Sequence, residues 1–151
     1  MRGKDPVAFE SDKRHFLYTE YLRIIQRFAP SVFVMENVKG MLNSKHGGTR
    51  IFERILSDLT EPREGLSYQI RSLAVEGDEL DPKDFVIEAD DYGVPQSRHR
   101  VILFGIRSDV AKATTALHAD PHQFLLKKYA PKVGVAAALE GLPRGGRKTT
   151  R

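Results

Sequence analysis

The 151-residue chain contains no cysteine and no tryptophan. Without cysteine it can form no disulfide, hold no thiolate-ligated metal and supply no thiol nucleophile of its own. It also lacks any apolar run near the roughly 20 residues that span a bilayer. No apolar stretch follows Met1-Arg2-Gly3-Lys4, as one would in a secretory leader. A membrane-spanning or Sec-secreted protein is therefore not expected, and the cytoplasm or nucleoid (the nucleus in a eukaryote) is the expected location. Internal repeats are missing too. What remains is an ordinary folding composition, 40% hydrophobic and 29% charged. A chain of this length can bury roughly two-thirds of its unfolded surface.

Charge is sparse in net terms, +4, but unevenly placed. Residues 76–91 carry eight acids against Lys83, whereas residues 92–151 carry eleven basic residues against Asp109, Asp120 and Glu140. A polyanion partner for the basic part and ordinary solvated faces both account for this pattern.

Apolar spacing outlines alternating helices and strands. Ser11 or Asp12 can cap a helix with the stripe Leu17, Tyr21, Ile24, Ile25 and Phe28, stopped by Pro30. Val32-Phe33-Val34-Met35 is a short continuous apolar run, the pattern of a parallel strand covered on both faces. A polar loop from Gly40 to Gly48 leads to a second helix near Thr49, with Phe52, Ile55, Leu56 and Leu59 on one face, ending before Pro62. Tyr68 to Val75 and Phe85–Ile87 read as strands, Tyr92–Pro95 as a turn, and Val101–Ile106 as the strongest strand. One more helix is predicted around His122 to Lys128. This alternation predicts an open α/β sheet with helices on both faces, whose ligands bind beyond the carboxyl ends of its strands.

That rule singles out Glu36 and Asn37, directly after the first apolar run. A strand-end carboxylate that is partly desolvated can act as a proton donor, or it can be a plain solvent-exposed end with Asn37 in a turn. Gln96-Ser97-Arg98-His99-Arg100 runs into the strongest strand. On an extended chain Gln96, Arg98 and Arg100 share a face and could grip a carbonyl oxygen and phosphates. Equally, the arginines could be charges guarding a hydrophobic strand. Histidines 118 and 122 are four apart, but Pro121 between them and the want of a third ligand argue against a metal site. His46-Gly47-Gly48 could offer backbone N–H groups to a phosphate at a helix start, or simply form a turn.

Taken together, Phe33-Val34-Met35-Glu36-Asn37-Val38-Lys39-Gly40 and Asp91-Tyr92-Gly93-Val94-Pro95-Gln96-Ser97-Arg98-His99-Arg100, followed by Gly105, closely resemble the DNA (cytosine-5) methyltransferase family. Arg14-His15-Phe16-Leu17 with Arg23-Ile24-Ile25 resembles the helix before the family's E-N-V motif, with His15 where Asn is common. Val135 to Pro143 is similar to the segment leading toward its target-recognition region. The resemblance implies a Rossmann-like methyltransferase sheet, S-adenosylmethionine as methyl donor, and double-stranded DNA as partner, with the target cytosine flipped out. A cysteine thiolate attacks C6 in this family and so activates C5. By resemblance Glu36 holds N3 and N4 of the base, Arg100 binds its O2, Arg98 steadies the catalytic loop and phosphates, and Asn37 and Gln96 position these groups. Leu17 resembles a residue lining the donor's adenine pocket.

Two family features have no counterpart in the sequence: the P-C-Q nucleophile loop and the F-x-G-x-G-G donor loop, since Gly47-Gly48 and Gly145-Gly146 lack its spacing. Residues 1–143 are thus expected to be the central part of a catalytic domain, and residues 144–151 a disordered basic tail. Two functions fit: a piece of a methyltransferase that works with a complementary chain, or a non-catalytic remnant that binds DNA or a partner.

Overall fold

The computed structural model describes residues 17–46, 48–77, 79–115, 121–129 and 131–142. The proposed cap at Ser11 or Asp12, His15, His118 and the basic tail fall outside them. The described residues group into two compact units, one of residues 17–87 and 99–126 and one of Glu88–Arg98 with residues 127–142.

The first unit is built on an antiparallel sheet. Helix α1 (Leu17–Phe28) leads into β1 (Val32–Val38); a 3-10 turn (Lys39–Asn43) and the hairpin β2 (Lys45–His46) and β3 (Thr49–Arg50) precede α2 (Ile51–Thr60). Then come β4 (Tyr68–Arg71), a 3-10 turn (Pro82–Phe85), β5 (Val86–Glu88), β6 (His99–Arg107) and α3 (Ser108–Ala113). Strand β6 is central: β1 lies antiparallel to it from Val32↔Ile106 to Val38↔Arg100, β4 pairs with it antiparallel from Tyr68↔Arg107 to Arg71↔Phe104, and β5 also pairs with it.

The expected parallel strand covered on both faces is thus corrected. Along β1 burial alternates: Phe33 and Met35 are buried, while Val32, Val34 and Val38 are more than half exposed. An apolar run reports hydrophobicity but not strand direction, and here the run has a single covered face. The mixed α/β character holds, and β1 and β4 both pair antiparallel with β6.

The core lies on the inner face. Phe33, Met35, Val101 and Leu103 pack with Phe52, Ile55 and Leu59 of α2, and with Tyr68 and Phe85. The Phe33 ring sits edge-on between Tyr21 and Tyr68, at centroid distances of 6.0 and 5.0 Å. Its register partner is Gly105, where only a residue without a side chain leaves room for the ring. Tyr68 donates a hydrogen bond to the Pro30 carbonyl (2.8 Å), which satisfies a buried hydroxyl. On the outer face, Phe104 meets Phe124 at 5.3 Å, and Arg71 lies over the Phe124 ring.

Helix α1 docks through Tyr18 and Ile25, with Tyr21 and Leu22 partly buried. Leu17, Ile24 and Phe28, three of the five residues in the expected stripe, point outward instead. The helix carries two adjacent apolar stripes, and periodicity alone cannot choose between them. Its end is set by Ala29, which takes a left-handed φ of 41° and donates its N–H to the Ile25 carbonyl (2.9 Å), just ahead of Pro30. Helix α2 matches the expected apolar face and stops before Pro62 as the Glu61 N–H bonds the Ser57 carbonyl.

The predicted helix at His122–Lys128 is only a 3-10 turn, Pro121–Phe124. A single apolar period is too short to sustain an α-helix, and the Leu126 N–H bonds the Leu73 carbonyl. The loop expected from Gly40 to Gly48 contains β2, and β3 takes Thr49–Arg50, where the second helix was expected to begin; two-residue strands are too short to show alternation.

In the second unit a 3-10 turn (Ala89–Tyr92) ends at Gly93 with φ 78°, the left-handed region that favours glycine. The Tyr129 N–H bonds the Asp91 carbonyl (2.7 Å) and the Ala89 N–H the Arg98 carbonyl (2.9 Å). The short helix α4 (Val135–Ala138) is exposed throughout.

Candidate active site

The antiparallel register explains how Glu36 and Arg100 come together. Glu36 faces Ile102 and Val38 faces Arg100, so Glu36 and Arg100 are diagonal neighbours on the outer face of the β1–β6 pair. Diagonal neighbours are within reach of long side chains, and here Arg100 Nε lies 2.5 Å from Glu36 Oε1. The N–H direction misses the carboxylate, so the contact is a charge pair and the buried Nε is left without a hydrogen-bond partner. A second nitrogen, Nη1, donates to the His99 carbonyl (2.8 Å). The guanidinium is therefore anchored at one end and held beside a carboxylate. Such a pair can meet a planar ligand edge that offers both donors and acceptors.

The partial desolvation expected at Glu36 is not seen, because its side chain is 53% exposed whereas that of Arg100 is 22% exposed. Asn37 alternates to the other face of β1, where its Oδ1 accepts the Val38 N–H (2.8 Å) and stiffens the strand end. Gln96 and Arg98 are exposed and belong to the second unit. The shared face predicted for Gln96, Arg98 and Arg100 requires an extended run from residue 96. The run begins only at His99, because the Gln96 N–H bonds the Val94 carbonyl (2.7 Å) in a tight three-residue turn around Pro95. Proline fixes its own φ near the value this turn needs, a preference that spacing does not register.

Leu17 stands 66% exposed at the start of α1, on the same outward stripe as Ile24 and Phe28. At that exposure it is not enclosed by the described residues.

Sequence reasoning missed the ion-pair cluster of the second unit. Lys128 Nζ lies 2.8 Å from Asp91, and Lys132 Nζ 2.6 Å from Asp91 and 3.1 Å from Asp90. Hydrogen bonds from Lys128 and then Lys132 hold the Asp91 carboxyl down at about 2. Glu88, Asp90 and Asp91 bring carboxylate oxygens within 4.8 Å of one another, and the two lysines supply the compensating charge. Part of the basic surplus read from the sequence is therefore spent on the acidic stretch. Its signal was the juxtaposition of the two charged blocks, which linear counting treats as separate.

The profile of C-5 cytosine-specific DNA methylases matches residues 8–140, which include both β1 with Glu36 and β6 with Arg100. The chain belongs to this C-5 cytosine-specific DNA methylase family. Similar members include the type II methyltransferase M.Bpa9945I of Bacillus paralicheniformis, 37% identical over 70% of this chain and 21% of its own. M.BspRI of Lysinibacillus sphaericus is 35% identical over 66% of this chain and 19% of its own, and M.AquIA of Picosynechococcus 34% over 64% and 35%. A crystal structure of an E. coli prophage-encoded protein, provisionally assigned as a DNA modification methyltransferase, superimposes with a TM-score of 0.58. It is 28% identical, over 87% of this chain and 31% of its own. This methylase-family chain thus spans about a fifth to a third of the proteins it matches.

Proposed function

We propose that this chain is the base-holding part of a DNA (cytosine-5) methyltransferase of the type II, restriction-modification kind. The observation that carries the reading is the Glu36–Arg100 pair, set side by side on the exposed face of β1 and β6 within the family-matched region. Cytosine presents an acceptor at O2, an acceptor at N3 and a donor at N4 along one edge. Glu36 meets N3 and N4, and the Arg100 guanidinium beside it meets O2. Holding N3 in this way draws electron density from the ring as a thiolate attacks C6, and the developing charge is stabilised at N3 and O2. Asn37 steadies the strand end under Glu36, and Gln96 and Arg98 position the catalytic loop and neighbouring phosphates. The thiolate itself must come from elsewhere, since the chain has no cysteine; a complementary methyltransferase chain or segment is the partner this implies. The same absence also favours a second reading, a non-catalytic DNA- or partner-binding remnant.

The test mixes the full chain with a complementary chain bearing the P-C-Q loop and duplex DNA tritiated at cytosine C5. Tritium release requires the C6 adduct but no methyl donor, so it reports base activation alone. Release is expected from the mixture, with Glu36→Ala slowing it by roughly 10²–10⁴-fold, the scale for a positioned acid, and Arg100→Ala also slowing it. Full activity in Glu36→Ala would remove the role given to that residue. DNA binding without release in any mixture would favour the non-catalytic reading.

A further inference from the structure

The loop that follows Glu36 places cations where an anion is needed to relieve them. In the β2–β3 hairpin Lys45 and Arg50 are direct cross-strand partners. Like charges directly opposite on an antiparallel pair repel and destabilise it. Neither is well compensated: Arg50 has only a loose contact with Glu53 at 3.7 Å, and Lys45 has no acidic partner among the described residues. Both line an open cavity of about 320 Å³. Lys83 lines the same cavity from the turn at Pro82–Phe85, alongside Asn43. The single acid in the lining, Asp81, is paired with Lys83 at 3.2 Å. Three cations against one carboxylate around an open cavity suit a phosphate group, whose oxygens accept from several donors at once.

We infer that the β2–β3 hairpin and the 81–83 turn form a phosphate-binding pocket, and that its occupant is a backbone phosphate of DNA. The identity of the occupant rests on the function proposed above, whereas the pocket itself does not. Lys45 and Arg50 are carried on the connection leaving β1, nine and fourteen residues after Glu36, so the phosphate they hold sets the path of the strand relative to the base-holding pair.

Two measurements on the full chain test this separately. In the first, inorganic phosphate is titrated against ¹⁵N-labelled protein, with sodium chloride at matched ionic strength as control. Saturable shifts at Lys45, Arg50 and Lys83 are expected with phosphate only, and are lost in Lys45→Gln/Arg50→Gln. No saturable response would overturn the pocket. In the second, anisotropy of a labelled duplex is followed against salt. The double variant is expected to reduce the slope of log K against log salt by about one, the share of one phosphate contact, while Lys112→Gln on α3 leaves it unchanged. A phosphate response with an unchanged slope would overturn DNA as the occupant and leave a site for free phosphate. A phosphate response in a chain that binds no duplex would do the same, and would also count against the proposed function.

Discussion

Replacing Gly105 by alanine tests the register that brings Glu36 and Arg100 together. A Cβ built at Gly105 would lie 2.3 Å from Cε1 and Cζ of Phe33. Carbon atoms rest at about 3.5–4.0 Å, so the ring must retreat by more than about 1 Å. It has nowhere to go, being 6% exposed and wedged between Tyr21 and Tyr68. If the ring swings out, the protein loses about 1.5–3 kcal/mol of Phe burial and about 0.5–1.5 kcal/mol from each aromatic pair. If the strands separate instead, overpacking costs about 1–3 kcal/mol. Alanine's lower unfolded-state entropy returns about 0.4–1 kcal/mol. The cheaper route decides, so the net expectation is a loss of about 1–2 kcal/mol, a measurable part of the 5–15 kcal/mol typical of a domain. Urea denaturation followed by far-UV circular dichroism measures it, the chain having no tryptophan to report. In a Phe33→Leu background the same substitution should cost little, because the ring that clashes is gone. A Gly105→Ala protein within about 0.5 kcal/mol of the parent, or an equal cost in both backgrounds, would refute the Phe33–Gly105 packing and with it the register.

Other expectations follow from single sites. Ala29→Gly should stabilise the chain by up to about 1 kcal/mol by relieving the left-handed φ at the end of α1; unchanged or lowered urea stability would show that the lost methyl contact outweighs the strain. The Asp91 carboxyl should titrate near pH 2 by ¹³C NMR, and Lys128→Met should raise its midpoint toward the ordinary 3.8. Because the folded value is depressed, the Asp91 contribution to stability should be complete above pH 3.8 and disappear as pH falls through about 2; a midpoint near 3.8 in the parent would contradict the ion-pair cluster. Exposed Val32, Val34 and Val38 lie on a strand paired only with β6 among the described residues, so sedimentation should show concentration-dependent self-association that Val34→Lys weakens. A monomer at every concentration would argue against that surface being adhesive.

Much of this protein was legible in its order of residues. The two long helices, the strands around Val32–Met35 and Val101–Ile106, and the absence of any thiol chemistry follow from local spacing and composition, because 3.6-residue periodicity, proline stops and residue inventories are properties of a segment by itself. The motifs containing Glu36 and Arg100 were equally readable, and the family they resemble is the one to which the chain belongs. Pairing was not readable. Strand direction, the single covered face of β1, and the choice of Ile25 over Ile24 as the buried position of α1 depend on which distant segment arrives as a neighbour. So do the meeting of Glu36 with Arg100 across 64 positions, the capture of Lys128 and Lys132 by Asp90 and Asp91, and the gathering of Lys45, Arg50 and Lys83 around one cavity. Each is a contact between residues whose local preferences are the same with or without it. Long-range burial and charge compensation supply the energy that selects among those arrangements, and only the folded chain brings the groups close enough for that energy to act.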